Sequence, residues 1–188
     1  MGKPLLLLDV DGPLNPYAEK PHRRPEGYST YRMDPVDQHG IKWTTTYRKP
    51  LRVWLKPSHG PDLLALADRF TLVWATTWGP EANRLIGPEL GLPELEYVDF
   101  WAKDKDPGRD ERTNGVYWKT PLLVEYAAGR PFAWVDDEIA DRDPEYVATH
   151  HHGDAFLHHV SPRLGLLEHD FATLAAWADS LKEKKSEA

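Results

Sequence analysis

A run of four leucines followed by two aspartates constrains this chain more than any other feature of its sequence. Leu5–Leu8 have the length and apolar character of a buried parallel strand. Side chains alternate along a strand, so Asp9 and Asp11 are expected on the same side of its C-terminal end, the edge where open α/β sheets bind ligands. Two carboxylates about 4 Å apart repel by roughly 1 kcal/mol in water and about 4 kcal/mol near a protein surface, so a divalent cation is favoured there. The alternative is a short turn, since the Asp-Gly pair at 11–12 is common turn chemistry.

Composition narrows the class of protein. With 188 residues, 40% of them hydrophobic, the chain is long enough for one well-buried core, and a single domain over 1–188 is expected. The absence of cysteine excludes disulfides, thiolate catalysis and zinc ribbons. A net charge of −7 argues against stable binding to duplex nucleic acid. Only four leucines follow the first four residues, too few for a signal peptide or membrane span, so a soluble cytoplasmic protein without a membrane partner is expected.

Strand-like apolar runs alternate with helix-like segments along most of the chain. This pattern predicts an α/β fold with a Rossmann-like parallel sheet flanked by helices. The strands are expected at 5–9, 70–75, 96–101, 132–135 and 155–160. The helices are expected at 58–69, where Ser58 is the candidate N-cap, and at 81–86, 119–128 and 168–181. A charged stretch at 102–115 is expected to be a loop.

Residues 13–56 interrupt this alternation and predict a small β-rich flap inserted after the first strand, with strands at Trp43–Tyr47 and Leu51–Leu55. Only about forty residues separate Thr76 from Lys119, too few for a large cap, so the flap is the expected lid. Eight of its basic residues are candidates to meet an anionic substrate, although ordinary solvated charges are the alternative: His22, Arg23, Arg24, Arg32, Lys42, Arg48, Lys49 and Arg52.

Polar clusters follow three of the expected strands. Asp9 and Asp11 follow the first, Thr76 and Thr77 the second, and Asp136 and Asp137 the fourth, while Lys119 begins a helix. If the strands are parallel, these clusters lie at one edge of one sheet. Any one of them could arise by chance, but an acid pair, a hydroxyl, a lysine and a second acid pair in this order form a specific combination.

This combination resembles the haloacid dehalogenase (HAD) superfamily of phosphohydrolases over roughly residues 5–180. The family's Asp-x-Asp-Gly matches residues 9–12, its Thr or Ser matches Thr76 with Thr77 as the shifted alternative, its lysine matches Lys119, and its terminal acid pair matches Asp136 and Asp137. More loosely, residues 74–78 with 81–83, and residues 134–138, resemble HAD domains that occur in RNA-repair proteins. The resemblance implies a HAD-type fold and phosphatase activity.

The chemistry of these residue types is consistent with that activity. Asp9 is the expected nucleophile, forming an aspartyl-phosphate, and Asp11 the expected general acid and base. Mg²⁺ suits all-oxygen ligands; the expected set is Asp9, the Asp11 backbone carbonyl and Asp137, with Asp136 as a further ligand or a support. Lys119 is expected to neutralise charge on Asp9 and the phosphoryl group. The expected substrate contacts come from Gly12, Thr76, Thr77 and Lys119.

Each assignment has a simpler structural alternative. Thr76 could end a strand, Lys119 could be an exposed helix lysine, and the acid pair at 136–137 could cap a helix. For Asp141 and Asp143, helix-start or turn acids are favoured over support for a metal. A solvated loop is favoured over a metal site for the histidines at 150–152. The tryptophans near these elements are expected in the core, with stacking of a base on an exposed Trp78 as the alternative.

The function expected from the sequence is a Mg²⁺-dependent phosphomonoesterase acting through an aspartyl-phosphate. Its substrate is expected to be a phosphorylated small molecule, such as a nucleotide, or a nucleic-acid end. Substrate choice depends on what covers the site, because the shared core handles only the phosphoryl group. The alternatives are a phosphate-binding or regulatory module without turnover, and dehalogenation by the same nucleophile, which the acid cluster disfavours.

Overall fold

Five parallel strands form the central sheet, in the spatial order β5-β4-β1-β6-β7. The structure is a computed structural model that describes residues 2–37, 39–102 and 115–186. The strands are β1 (Leu5–Leu8), β2 (Ser29–Met33), β3 (Leu51–Leu55), β4 (Thr71–Trp74), β5 (Glu96–Tyr97), β6 (Phe132–Asp136) and β7 (Ala155–His159). The helices are α1 (Trp43–Tyr47), α2 (His59–Leu66), a π-helix (Ala82–Ile86), α3 (Gly87–Leu90), α4 (Lys119–Ala127), α5 (Asp143–His150) and α6 (Glu168–Ser186).

The central strand β1 is buried on both faces. Its side chains alternate between two apolar layers, with Leu6 and Leu8 in one and Leu5 and Leu7 in the other. Helices α2 and α6 contribute to the first layer, and α4 and α5 to the second. Full burial of each leucine stabilises the fold by about 1.5–3 kcal/mol. The four-leucine run is therefore a doubly covered strand, as its sequence predicts, and it fixes the position of Asp9 directly after it.

The flap contains a two-stranded antiparallel sheet, β2 with β3, and the short helix α1 between them. The prediction of a strand at Trp43–Tyr47 is wrong. Thr44 donates through its backbone N–H and its hydroxyl to the Asp34 carboxylate, at 2.7 and 2.8 Å, and the rings of Trp43 and Tyr47 stack at 3.9 Å. The Asp34 contacts, together with the stacking of two rings one helical turn apart, outweigh the β-propensity of the threonines. The strand prediction for Leu51–Leu55 is confirmed.

Several local predictions need correction. Ser58 makes no side-chain capping hydrogen bond to α2, and β5 is shorter than expected. The helix expected at 81–86 is a π-helix that continues into α3. Helix α5 occupies a stretch expected to be a polar turn, because the Asp143 carboxylate holds its entry by accepting the Ala140 backbone N–H at 2.6 Å. Most of the loop expected at 102–115 lies outside the described residues.

The other strands and helices lie close to their expected positions, so a Rossmann-like α/β sheet flanked by helices is confirmed. Within the described part of the chain, no helix combines the length and the apolar character that crossing a membrane requires.

Candidate active site

The C-terminal ends of β1 and β6 bring three aspartates together. Leu8 pairs with Val135, so Asp9, the next residue, lies beside Asp136 on the neighbouring strand. One carboxylate oxygen each from Asp9, Asp136 and Asp137 lies within 4.8 Å of the others. Asp9 and Asp136 are buried and Asp137 is half-buried. No helix begins at the 136–137 pair, so the helix-capping alternative is wrong.

Lys119 joins the two buried carboxylates. Its Nζ donates to Asp9 Oδ2 at 2.9 Å and to Asp136 Oδ2 at 2.8 Å. The residue begins α4 and is only 1% exposed, so the exposed-lysine alternative is wrong. Burial by itself lowers the pKa of Lys119, but the facing carboxylates of Asp9 and Asp136 raise it above its ordinary value. Lys119 is therefore a permanent cation between two strand ends.

The aspartates carry more negative charge than one lysine balances. Burial raises the pKa of Asp9 to about 6, opposed by Lys119 and reinforced by Asp136. Burial raises the pKa of Asp137 to about 6 as well, with its hydrogen bond to Tyr17 acting against the rise and the charge on Asp9 adding to it. Three ionised carboxylates beside one ammonium leave a surplus of two negative charges. A bound cation relieves this repulsion.

Asp136 and Asp137 occupy different environments. Asp136 Oδ1 accepts the Glu138 backbone N–H at 2.9 Å, and its Oδ2 accepts Lys119 and also Trp134 Nε1 at 3.2 Å. Asp137 lines the large cavity at the sheet edge, whereas Asp136 does not. The open carboxylate of Asp137 suits a metal ligand, and the fully hydrogen-bonded Asp136 suits a support that orients Lys119.

Asp11 lies beside this cluster without belonging to it. It lines the same cavity as Asp9. Asn15 Nδ2 donates to its Oδ1 at 2.7 Å and Trp78 Nε1 donates to its Oδ2 at 2.8 Å. Burial raises the pKa of Asp11, the charge on Asp9 adds to the rise, and these two hydrogen bonds act against it. The side chain is thus fixed by two donors, and Lys119 acts on it through its charge and not through a hydrogen bond.

Asn15 connects Asp11 to the flap. Its Oδ1 accepts the Trp54 backbone N–H from β3 at 2.9 Å. A tight turn places Asn15 here, because the Gly12 N–H donates to the Asn15 carbonyl at 2.9 Å. Neither Asn15 nor the bond from Trp78 is predicted above from the sequence; the Asp-Gly-x-x-Asn spacing is the signal that could have identified Asn15. Trp78 is buried, so stacking of a base on an exposed Trp78 is wrong.

The two threonines after β4 face different surroundings. Thr76 is 1% exposed, and its side chain hydrogen-bonds to the Asp9 carboxylate. This hydrogen bond acts to lower the pKa of Asp9. Its hydroxyl also accepts the Trp78 backbone N–H at 3.4 Å. Thr77 is exposed and lines the cavity. Thr76 therefore contacts Asp9, and Thr77 is the threonine accessible from the cavity.

Gly12 permits the close approach of Asp137. Its φ is +88°, and a Cβ at this position would lie 2.3 Å from Asp137 Oδ1. Every side chain larger than hydrogen would collide with that carboxylate. On the other side, the Tyr17 hydroxyl donates to Asp137 Oδ2 at 3.0 Å. Because 120 residues separate the two, no local sequence pattern predicts this contact.

The remaining candidates take structural roles. The buried Asp143 accepts Thr120 Oγ1 and the Tyr117 backbone N–H, both at 2.8 Å, so the turn-acid interpretation is confirmed. The histidines at 150–152 do not converge: His150 ends α5 and stacks on Tyr146, and His151 packs edge-on against Phe132. His150 is thus helical instead of part of a loop. The tryptophans at 74 and 134 are core residues, as expected.

A cavity of about 1060 Å³ opens over the site. Its floor contains Asp9, Asp11, Asp137 and Lys119, and much of its remaining wall comes from the flap. Comparisons with protein-family models, curated proteins and solved structures find no match for this chain.

Proposed function

We propose that this protein is a Mg²⁺-dependent phosphomonoesterase of the HAD type that forms an aspartyl-phosphate on Asp9. The observation that carries the proposal is the position of Lys119, whose ammonium contacts Asp9 and Asp136 while Asp137 and Asp11 line the cavity beside them. A buried lysine bound to a carboxylate at a cavity floor is well placed to neutralise both the nucleophile and an incoming phosphate.

The donor set fits a hard cation. All the candidate ligands are oxygens, as Mg²⁺ prefers, and the surplus of negative charge at the sheet edge favours a divalent ion. Asp9, Asp137 and the Asp11 backbone carbonyl are the residues that would hold it, with Asp136 supporting Lys119. When bound, Mg²⁺ supplies positive charge for the phosphoryl oxygens and lowers the repulsion between the acids and the substrate.

Two hydrogen bonds to the Asp9 carboxylate support its proposed role as nucleophile. Its Oδ1 accepts the Val10 backbone N–H at 2.8 Å and its Oδ2 accepts Lys119, so the carboxylate has a fixed orientation. In the first step a bond forms from an Asp9 oxygen to phosphorus, the ester P–O bond breaks, and Asp11 gives its proton to the leaving oxygen. In the second step Asp11 takes a proton from water, whose oxygen attacks phosphorus and releases Asp9 and inorganic phosphate.

The test is phosphate release from p-nitrophenyl phosphate by the purified protein, in Mg²⁺ and in EDTA. We expect turnover in Mg²⁺ alone, with at least a thousandfold loss in Asp9→Asn. Asp137→Asn should raise the Mg²⁺ concentration needed for half-maximal rate, whereas the exposed Asp141→Asn is the matched control and should not. Metal-independent activity that survives Asp9→Asn would reject the mechanism. Saturable binding of phosphate esters without release would instead identify a binding module.

A further inference from the structure

The flap carries a positive charge that the rest of the chain lacks. Residues 13–56 contain nine Lys and Arg and four Asp and Glu, so their net charge is +5 in a chain whose net charge is −7. Of the eight basic flap residues that the sequence singles out, four line the cavity, namely Arg32, Lys42, Lys49 and Arg52. The cavity therefore has an acidic floor at the sheet edge and a mainly basic wall on the flap, where Asp37 also lines it.

Two of these arginines are held directly opposite each other. Arg32 of β2 pairs with Arg52 of β3 in the antiparallel ladder. Directly paired residues project from the same face of such a sheet, and like charges in this position are destabilising. No described residue forms an ion pair with Arg32, Lys42 or Lys49. The hairpin thus places two like charges side by side against the cavity at a cost in stability, whereas Lys42 interacts electrostatically with Asp34.

Arg52 also has an unused donor. Its guanidinium lies 3.9 Å above the Trp54 ring, and its Nη2 donates to the Tyr17 carbonyl at 3.4 Å. Its Nη1 is buried and finds no acceptor among the described residues. Buried donors on charged groups are normally satisfied, and a planar guanidinium matches the oxygens of a phosphate. An anion bound at this wall would offer an acceptor to Nη1 and reduce the repulsion between the paired arginines.

An aromatic surface lies on the same wall. Trp43 and Tyr47 of α1 both line the cavity, stacked at 3.9 Å, and Tyr47 is 54% exposed. Exposed aromatic faces receive planar rings such as nucleobases. The cavity volume of about 1060 Å³ also matches the upper end of pockets for small molecules, about 300–1,000 Å³, and exceeds what a single phosphate requires.

From these observations we infer that the flap holds a second phosphate of the substrate, bound by Arg32, Arg52, Lys42 and Lys49, with a planar ring against Trp43 and Tyr47. This inference rests on the proposed function, because it places the phosphomonoester at Asp9. The shared chemistry is a nucleotide unit with a phosphate at each end. A nucleoside bisphosphate and the phosphorylated end of a single strand both supply it.

The first test compares kcat/KM for a nucleoside 5′-monophosphate, a nucleoside 3′,5′-bisphosphate and a short 5′-phosphorylated single strand. We expect kcat/KM for at least one of the two substrates that carry a second phosphate to exceed that for the monophosphate by roughly tenfold, equivalent to about 1.4 kcal/mol. The substrate with the larger kcat/KM shows whether the second phosphate comes from a bisphosphate or from a nucleic-acid strand. Arg32→Gln and Lys49→Gln should bring that ratio close to one. Arg23→Gln, the same charge change at an exposed flap position outside the cavity lining, should keep it.

Stability provides a second readout. Arg32→Gln removes one member of the opposed arginine pair, so its melting temperature should be equal to or above that of the wild type. A loss of preference for the doubly phosphorylated substrate in this variant therefore cannot be attributed to unfolding. A wild-type ratio near one, or an equal loss in Arg23→Gln, overturns the inference.

A calorimetric arm separates this inference from the proposed function. Asp9→Asn keeps the size of the side chain and lacks the nucleophile, so its affinities for the monophosphate and the bisphosphate can be measured in Mg²⁺ without turnover. Tenfold tighter binding of the bisphosphate supports the second-phosphate site even if the wild type releases no phosphate. The absence of phosphate release would contradict only the proposed function. Equal affinities overturn the second-phosphate site whatever the turnover.

Discussion

Replacement of Lys119 by methionine should leave two carboxylates buried and unpaired. At 2.9 Å, one ammonium–carboxylate contact is worth about 6 kcal/mol at an effective dielectric of 20, and Lys119 makes two such contacts. Desolvation of the three charges offsets much of this attraction, so removing one partner of such a buried network typically costs about 3–5 kcal/mol. For a chain of this length, that loss lowers the melting temperature by roughly 6–20 °C.

The loss should depend on pH and on Mg²⁺. Without Lys119, the folded-state pKa values of Asp9 and Asp136 rise further above their unfolded values. The folded state then binds more protons than the unfolded state over a wider range, so stability falls as pH rises. The deficit of Lys119→Met relative to the wild type should be larger at pH 7.5 than at pH 5, and Mg²⁺ should reduce it at pH 7.5.

The assay is thermal unfolding followed by circular dichroism at both pH values, with and without Mg²⁺. Lys20→Met, a substitution at an exposed lysine, is the control and should change stability by less than about 0.5 kcal/mol. A Lys119→Met protein that melts within 2 °C of the wild type, taken as roughly 0.5–1 kcal/mol, refutes the reasoning. So does a large deficit that is the same at both pH values.

Three further predictions test separate contacts. Burial lowers the pKa of His59 to about 4, and its Nδ1 is buried without a hydrogen-bond partner among the described residues. As pH falls, the unfolded state therefore takes up the proton first, and the free energy of unfolding drops by up to about 3 kcal/mol between pH 6.5 and 4. Urea unfolding of His59→Gln should show a flatter pH dependence over this range. Gly12→Ala forces a Cβ against Asp137 and should weaken Mg²⁺ binding, measured by calorimetry, at least tenfold. The control is Gly129→Ala, which is also at positive φ but has open space around its Cβ; it should lower stability and leave Mg²⁺ affinity unchanged. Asn15→Ala leaves the buried Trp54 N–H without its acceptor and should lower the free energy of chemical unfolding by about 1–3 kcal/mol. It also removes the Asn15 hydrogen bond to Asp11, so kcat on p-nitrophenyl phosphate should fall. An unchanged kcat would show that Asn15 does not support Asp11 in the reaction.

The meeting of distant acids at one edge could be predicted because a parallel sheet leaves little freedom. Once Leu5–Leu8 and the run at 132–135 are neighbouring parallel strands, Asp9 and Asp136 must lie side by side. The sequence pattern was also informative for the flanking helices α2, α4 and α6, since their apolar faces follow from periodicity, but it did not predict α5. The burial of Lys119 was harder to foresee, because most lysines at helix starts are exposed.

Contacts that depend on chain packing could not be predicted from local patterns. Tyr17 reaches Asp137 and Trp78 reaches Asp11 across separations of 120 and 67 residues, and nothing in their immediate sequence marks either contact. The pairing of Arg32 with Arg52 depends on the register of the flap hairpin, which requires the path of the whole segment. Helix α1 was missed because three consecutive threonines favour a strand, whereas the Asp34 carboxylate ten residues away fixes the helix.

The central claim is that Asp9 accepts a phosphoryl group at a site completed by Mg²⁺. The most direct measurement is mass-spectrometric mapping of the protein quenched in acid during turnover of a phosphomonoester. The account predicts a phosphorylated carboxylate at Asp9 that accumulates in Mg²⁺, does not form in EDTA and is lost in Asp9→Asn. Phosphate release with no modification of Asp9, or with the phosphoryl group on another residue, contradicts it.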